Sequence, residues 1–367
     1  MPAQRILLLT SRFSLLAFLA SCAGDAGSGI LATRADSAGV EIVTNAEPSW
    51  RPGDGWRIDP APILSVGPKA NADPRYELLR VTGGRLLPDG GVIVVVSGHF
   101  QLRTYGPDGE WLQSVGREGD GPGEFRFPGG LSIAGDTVFV GDFQLSRLSA
   151  FSRAGEFLAS WPYPSIDPGG RVPPSQRLVD GRWIGSGTIS FTAGQVSGGV
   201  TRIPMAWYRI SRDLSRVEDT VATVAGTDRL IITSTGAGGQ ITSMEVTTLA
   251  VGRTSVVAVG GAFLLAGDSE RPEVRRYTPD GALTTLIRWA APDAVLDPNV
   301  FAQMKRVALA GQEGNESRRA SVEARFAASP PGTPLPHLGG LHLDPHDNRW
   351  VREFAPLPTD SIRFRVF

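Results

Sequence analysis

The stretch Gly83-Gly84-Arg85-Leu86-Leu87-Pro88-Asp89-Gly90-Gly91-Val92-Ile93-Val94-Val95-Val96 reads as a strand, a tight turn and a second, more apolar strand. β-Branched residues dominate the second arm, and the Pro-Asp-Gly between the arms marks a hairpin. The same order recurs at Gly129-Gly130-Leu131-Ser132-Ile133-Ala134-Gly135-Asp136, followed by Thr137-Val138-Phe139-Val140. It recurs again at Gly339-Gly340-Leu341-His342-Leu343-Asp344-Pro345-His346, followed by Arg349-Trp350-Val351. A third strand then ends near an aromatic and enters another turn, as in Leu102-Arg103-Thr104-Tyr105-Gly106-Pro107-Asp108-Gly109, Leu148-Ser149-Ala150-Phe151 and Val274-Arg275-Arg276-Tyr277-Thr278-Pro279-Asp280-Gly281. Proline suits the second position of such a turn, and glycine the position that needs positive φ. Glu110 to Val115 supplies a fourth strand. Four strands joined by tight turns, repeating every 40–50 residues or so, are the sequence signature of propeller blades.

Working outward, a weaker copy lies at 174–226 around Gly181-Arg182-Trp183-Ile184-Gly185 and Trp207-Tyr208-Arg209-Ile210, and another inner strand at Ser255 to Ala266. Five units result, over 76–116, 125–163, 174–226, 249–289 and 335–367. The composition agrees. Among 367 residues, 45 glycines and 28 prolines with 41% apolar residues describe a turn-rich globular chain. The 36 Lys+Arg against 37 Asp+Glu give a formal charge of -1, so no overall field recruits nucleic acid or anionic lipid. Lys69 and Lys305 are the only lysines, which leaves almost no candidate for a Schiff base or a P-loop.

Residues 1–21 have the outline of a secretory signal, with Arg5 ahead of an apolar stretch that is too short and interrupted to span a bilayer. Leu19-Ala20-Ser21-Cys22 resembles the bacterial lipobox, which implies lipidation of Cys22, the one cysteine in the chain. No internal disulfide is then available to the exported protein. Residues 22–38 read as a flexible tether and 39–367 as the propeller domain, which opens on a leading strand at Gly39-Val40-Glu41-Ile42-Val43. For a Gram-negative cell, the absence of an acidic residue directly after Cys22 implies an outer-membrane anchor, facing the periplasm or the outside.

Gly116-Arg117-Glu118-Gly119-Asp120-Gly121-Pro122-Gly123-Glu124-Phe125, followed by Pro128, Leu131, Val138-Phe139-Val140, Asp142, Arg147 and Phe151, resembles the NHL repeat. That resemblance extends over most of 76–367 and is densest in the second unit. It implies an all-β, six-bladed propeller of four-stranded blades. Asp142 and Arg147 are expected to bond each other or the turn backbone.

Two departures stand out. The last unit stops at Arg363-Phe364-Arg365-Val366-Phe367, where other units enter their turn and fourth strand, so the last blade reads as incomplete. Asp54-Gly55-Trp56 through Ile63-Leu64-Ser65-Val66-Gly67 echoes a fourth strand and offers one closure; a chain short of one blade is the other, and the count of five units favours it. Secondly, Asp297-Pro298 opens a run with apolar Val300, Phe301, Met304, Val307 and Ala308, then Ser317 to Ala328 with Val322 and Phe326, which predicts two short helices inserted over 297–328.

Motifs for catalysis are missing: there is no Gly-x-Ser-x-Gly elbow, Walker loop or dinucleotide fingerprint. His342 and His346 flank Asp344-Pro345 and fall on a strand and its turn, so they do not share a face as zinc ligands would on a helix. The first residues of the inner strands should converge on the channel mouth, which nominates Arg80, Arg126 and His337 as an anion or carbohydrate-carboxylate site; pairing of the arginines to Glu77 and Glu124 is the alternative. The dispersed tryptophans fit packing between blades. The expected protein is therefore a lipid-anchored, monomeric binding scaffold whose disc face recognises a protein, peptide or glycan in the cell envelope, with no cofactor, metal, catalytic residue or nucleic acid. The competing expectation is a metal-dependent lactonase- or lyase-like propeller enzyme with its site at the central channel.

Overall fold

The computed structural model describes residues 32–47, 59, 61–67, 73–166, 170–188, 198–236, 238–312, 314–344, 346–357 and 362–367. Cys22, the leader, and Trp50 and Trp56 lie outside them. The five units of the sequence appear as five sheets, in each of which the unit's own strands pair antiparallel. The first blade is Val81–Leu86, Val92–Val96, Gln101–Tyr105 and Trp111–Val115, each strand paired to the next. The second is Pro128–Ala134, Thr137–Asp142, Arg147–Ser152 and Phe157–Pro162. The third is Pro174–Arg177, Trp183–Thr188, Met205–Ile210 and Val217–Val224. The fourth is Ser255–Val259, Leu264–Asp268, Glu273–Tyr277 and Leu283–Trp289. Gly340–Leu343, Arg349–Arg352 and Phe364–Val366 make a three-stranded fifth. The first strands of blades one and two, two and three, and four and five lie side by side, the arrangement of inner strands in a propeller. The Pro-Asp-Gly turns have the conformation their sequence requires, with Gly109 and Gly281 at φ +79° and +86°.

Core packing is between blades. Phe139 of the second blade meets Trp183 of the third edge to face at 4.8 Å, within a cluster that includes Leu148, Val172 and Ile210. Leu102, Phe125, Leu131 and Phe151 join blades one and two, and Leu178, Ile184, Leu264 and Ala266 join three and four. Phe263, Leu265, Val274, Trp289, Leu341 and Val351 join four and five. Each unit thus buries the face its neighbour leaves open.

Three features depart from the expectations. Residues 32–37, read as tether, form an exposed strand, β1 (Ala32–Ser37), hairpinned to β2 (Val40–Asn45). β2 is the expected leading strand, but it pairs in parallel with the outer strand of the fourth blade, making that sheet six-stranded. The Asp54–Gly67 piece does not complete a blade among its described residues: 61–67 contain no strand and pack by Leu64 and Ser65 against the Gly109 turn of the first blade. Lastly, Gly199–Arg202, Asp228–Thr235 and Ile241–Thr248 form a separate three-stranded sheet that the repeat pattern does not contain.

The helical insertion forms as its spacing predicts. Asp297 caps α1 (Pro298–Leu309) by accepting from the amides of Asn299 and Val300, and Asn315 caps α2 (Glu316–Ala327). Phe301 and Phe326 pack edge to face at 5.4 Å, with Val322 and Phe326 buried. α2 leans on Ile241–Thr248, where Arg325 donates to the carbonyl of Thr248.

Candidate functional site

The residues nominated for the channel mouth stand at the entry ends of inner strands. Arg80 is exposed, with φ +55°, and its carbonyl accepts from Ser97. Arg126 is engaged by Asp120 at 2.7 Å and Glu118 at 3.0 Å; these carboxylates, Asp120 first, hold its guanidinium above the ordinary range. Glu124 is occupied otherwise, accepting from Gly121 and Arg117, so the pairing expected for it goes to a different arginine. His337 is nearly buried between the fourth and fifth blades, 3.5 Å from Asp293. No hydrogen bond or ion pair joins the three to one another among the described residues.

The densest part of the motif is used for scaffolding. Asp142, fully buried, accepts the amides of Arg126, Phe127, Gln144 and Leu145. Arg147 donates to the carbonyls of Asp120, Gly121 and Glu124. Both bond the turn backbone, as expected. Arg103 of the first blade acts similarly, capping the carbonyls of Pro74, Arg75 and Glu77.

Two cavities lie away from the channel mouth. One, of about 500 Å³, is open and sits over the turns of the third blade, lined by Asp180, Arg182, Asp213 and Glu218 among others. Its charges are largely matched: Arg182 pairs with Asp180 and lies near Asp280, and Arg209 reaches Glu218 and Asp280. Asp213, held to about 2 by the hydroxyls of Ser211 and Ser215 and the Ser215 amide, serves the turn.

The other cavity, of about 420 Å³, lies between the fourth and fifth blades, and strand register explains its lining. Side chains two apart share a face, and paired residues of adjacent strands form rows across it. One row runs Glu41, Thr285, Arg276, Leu265; the next runs Arg34, Val43, Ile287, Val274; a third begins Ala32, Asn45, Trp289. The facing blade contributes Arg349, Val366 and Phe367. β1 and β2 extend one wall, while the fifth blade opposite has three strands, so the walls stand apart at their outer ends. Within this cleft Arg34 is paired to Glu41. Arg276 and Arg349 are not matched by any carboxylate or carbonyl, and the Nε of each is buried without a hydrogen-bond partner among the described residues. Burial, and secondly the Arg276 cation, holds Arg349 below the ordinary guanidinium range, with Asp347 and Glu41 opposing. Sequence reasoning passed over both. A signal was present: where the third strands of blades one and two carry Thr104 and Ala150, the fourth carries Arg276.

Among the described residues, no three His, Cys, Asp or Glu side chains gather as a metal-binding group, and no helix is long and apolar enough to cross a membrane. No family model matches the chain. No curated protein matches it either. Among solved structures it is similar to a presumed exported protein of Bacteroides fragilis, at 10% identity and a TM-score of 0.40, over 76% of this chain and 66% of that one. It is also similar to Myxococcus xanthus glutaminyl cyclase, at 13% identity and 0.30, over 75% and 87%, and to a streptogramin B lyase, at 9% and 0.33, over 74% and 75%. All three scores lie below 0.5, so the reading of the fold rests on the sheets themselves.

Proposed function

We propose that this chain is an exported, lipid-anchored propeller that binds an envelope protein, peptide or glycan and performs no catalysis. The observation that supports it best is the cleft between the fourth and fifth blades. Elsewhere the conspicuous charged groups, Asp142, Arg147, Arg103 and Arg126, are occupied in holding turns together, whereas this cleft is concave, mixed in polarity and walled by two rigid sheets. In this reading the ligand lies in the cleft, and not on the disc face or at the channel mouth. Anchoring at Cys22 is supported by the lipobox-like Leu19-Ala20-Ser21-Cys22 and the polar residues after it.

The test is an array of peptides and glycans probed with the purified chain and with Val43→Trp, which fills the cleft from the wall of the fourth blade. Ligands retained by the parent and lost by the variant support the reading. Binding that ignores the substitution, or none to any class on the array, overturns it. Mass spectrometry of the envelope form tests the anchor, with the acyl mass expected on Cys22 and absent from Cys22→Ser.

A further inference from the structure

The interface between the fourth and fifth blades is apolar along most of its depth, through Phe263, Leu265, Val274, Leu338, Leu341 and Val351. At its outer end the pattern breaks. Arg276 extends from the fourth blade on the face that carries Val274, and Arg349 from the fifth on the face that carries Val351. Two guanidiniums brought together at the edge of an apolar contact repel each other and lose hydration, a cost that proteins ordinarily offset with carboxylates or carbonyls.

Comparable arginines in this chain receive that compensation. Arg103 has three carbonyls, Arg275 has Glu273 at 2.7 Å, and Arg365 has Glu353 at 2.9 Å. Arg276 instead lies over the ring of Phe263, 4.6 Å from its centroid. Stacking of that kind engages the face of the guanidinium and leaves its N–H edge for an acceptor. Glu41, the acidic side chain in the cleft lining, is taken by Arg34, and Asp347 opposes the lowering of Arg349 without an ion pair to it. The cleft therefore carries more guanidinium than carboxylate side chains, on a lining that sets Val43, Ile287, Val366 and Phe367 beside Asn45 and Thr285.

We propose that Arg276 and Arg349 together bind an oxyanion, a carboxylate or phosphate group carried on an apolar body, in the cleft between the fourth and fifth blades. The inference rests on the cleft being the binding site and adds the chemical class of its ligand. Two guanidiniums from opposite walls present convergent N–H donors to one planar or tetrahedral anion, and the aliphatic wall takes the rest of the molecule. Occupation neutralises the repulsion, so the ligand also ties the fifth blade to the fourth. In the free protein the two arginines oppose stability, as groups built for binding commonly do.

Thermal melting of the full chain tests this with four probes: hexanoate, hexyl phosphate, inorganic phosphate and the neutral hexanamide. Hexanoate or hexyl phosphate at ten times its dissociation constant should raise Tm by about 2 °C or more, and hexanamide should leave it unchanged. Whichever of the two acts at lower concentration identifies the anion as carboxylate or phosphate, and a lesser effect of inorganic phosphate reports the apolar wall. General salt effects are common to parent and variants, so the difference between them isolates the site. Arg349→Gln and Arg276→Gln should each abolish the response, and ligand-free Arg349→Gln should melt no lower than the parent. If Arg349→Gln does not fold, Arg276→Gln carries the test. No response to either organic anion, an equal response to hexanamide, or a response that survives both substitutions overturns the proposal. An array ligand lost on Val43→Trp but kept by both arginine variants would overturn the anion assignment while leaving the binding cleft in place.

Discussion

Asp142 and Arg147 stand opposite each other on neighbouring strands of the second blade, and no ion pair joins them. Each is directed onto the loop 117–127 or the adjoining turn: the carboxylate collects four amides, and the guanidinium three carbonyls. A buried charge is tolerated when hydrogen bonds replace its water, and here the backbone supplies them without a counter-ion in contact. The glycine-rich run from Gly116 to Gly123, which superficially resembles a phosphate loop, is accordingly an inter-blade turn held at both ends.

Asp142→Asn keeps the shape but turns part of the acceptor into a donor facing amides, and should cost about 3 kcal/mol. Arg147→Met leaves three carbonyls short of a donor and should cost about 2 kcal/mol. Because both act on the same loop, the double variant should fall short of the sum by more than about 0.5 kcal/mol. Urea unfolding of the four proteins measures all three quantities; strict additivity would mean that the two residues hold independent structures.

The N-terminal hairpin protects an edge. β2 covers the outer strand Leu283–Trp289, and Asn45 donates to the carbonyl of Arg288. Deleting 32–45 should expose a row of unpaired backbone groups between Thr285 and Trp289, in a strand with buried Leu286, Ile287 and Trp289. Concentration-dependent association by light scattering is expected, at concentrations where the parent remains unchanged.

How far the sequence could be read follows from the range of the interactions. Blade limits were legible because Gly-Gly starts and Pro-Asp-Gly turns are local, as Gly109 and Gly281 show by adopting the expected positive φ. Gly39 to Val43 was legible as a strand, but its partner is some 240 residues away, and alternation of apolar residues carries no information about which edge a strand will join. The same holds for the cleft. Arg276 and Arg349 meet only because two blades pack, so each alone resembles any strand arginine. Phe301, Val322 and Phe326, by contrast, declared their helices through spacing within one or two turns.

The helical insertion should behave as a locally stable unit. Phe326→Ala removes a buried ring from its contact with Phe301, a loss of about 3–4 kcal/mol for a core aromatic. Because the blade cores do not include that contact, hydrogen exchange should accelerate over 298–327 while amides such as those of Val95 and Val140 keep their protection. Uniform acceleration across all blades would show that the helices are integral to the global fold.

Acid provides the last prediction, at the turn of the fifth blade. Asp344 takes the Asn348 side chain at 2.7 Å, the Trp350 indole at 3.1 Å, and the amides of Asn348 and His346. These bonds, the Asn348 amide group foremost and against some burial, lower its pKa from an ordinary 3.8 to about 2. A carboxyl group depressed in the folded state adds stability that is present above the unfolded pKa and is lost as pH falls through the folded one. Its contribution should therefore be intact above about pH 4, decline between there and about pH 2, and be gone below. Carbon NMR of the Asp344 carboxyl should give a midpoint near 2, and Asn348→Ala should move that midpoint up toward the ordinary value. A parent midpoint close to 3.8 would mean that the turn is not closed by this residue in solution. Since the turn leads directly into Arg349–Arg352, its opening in acid should also loosen the wall that presents Arg349 to the cleft.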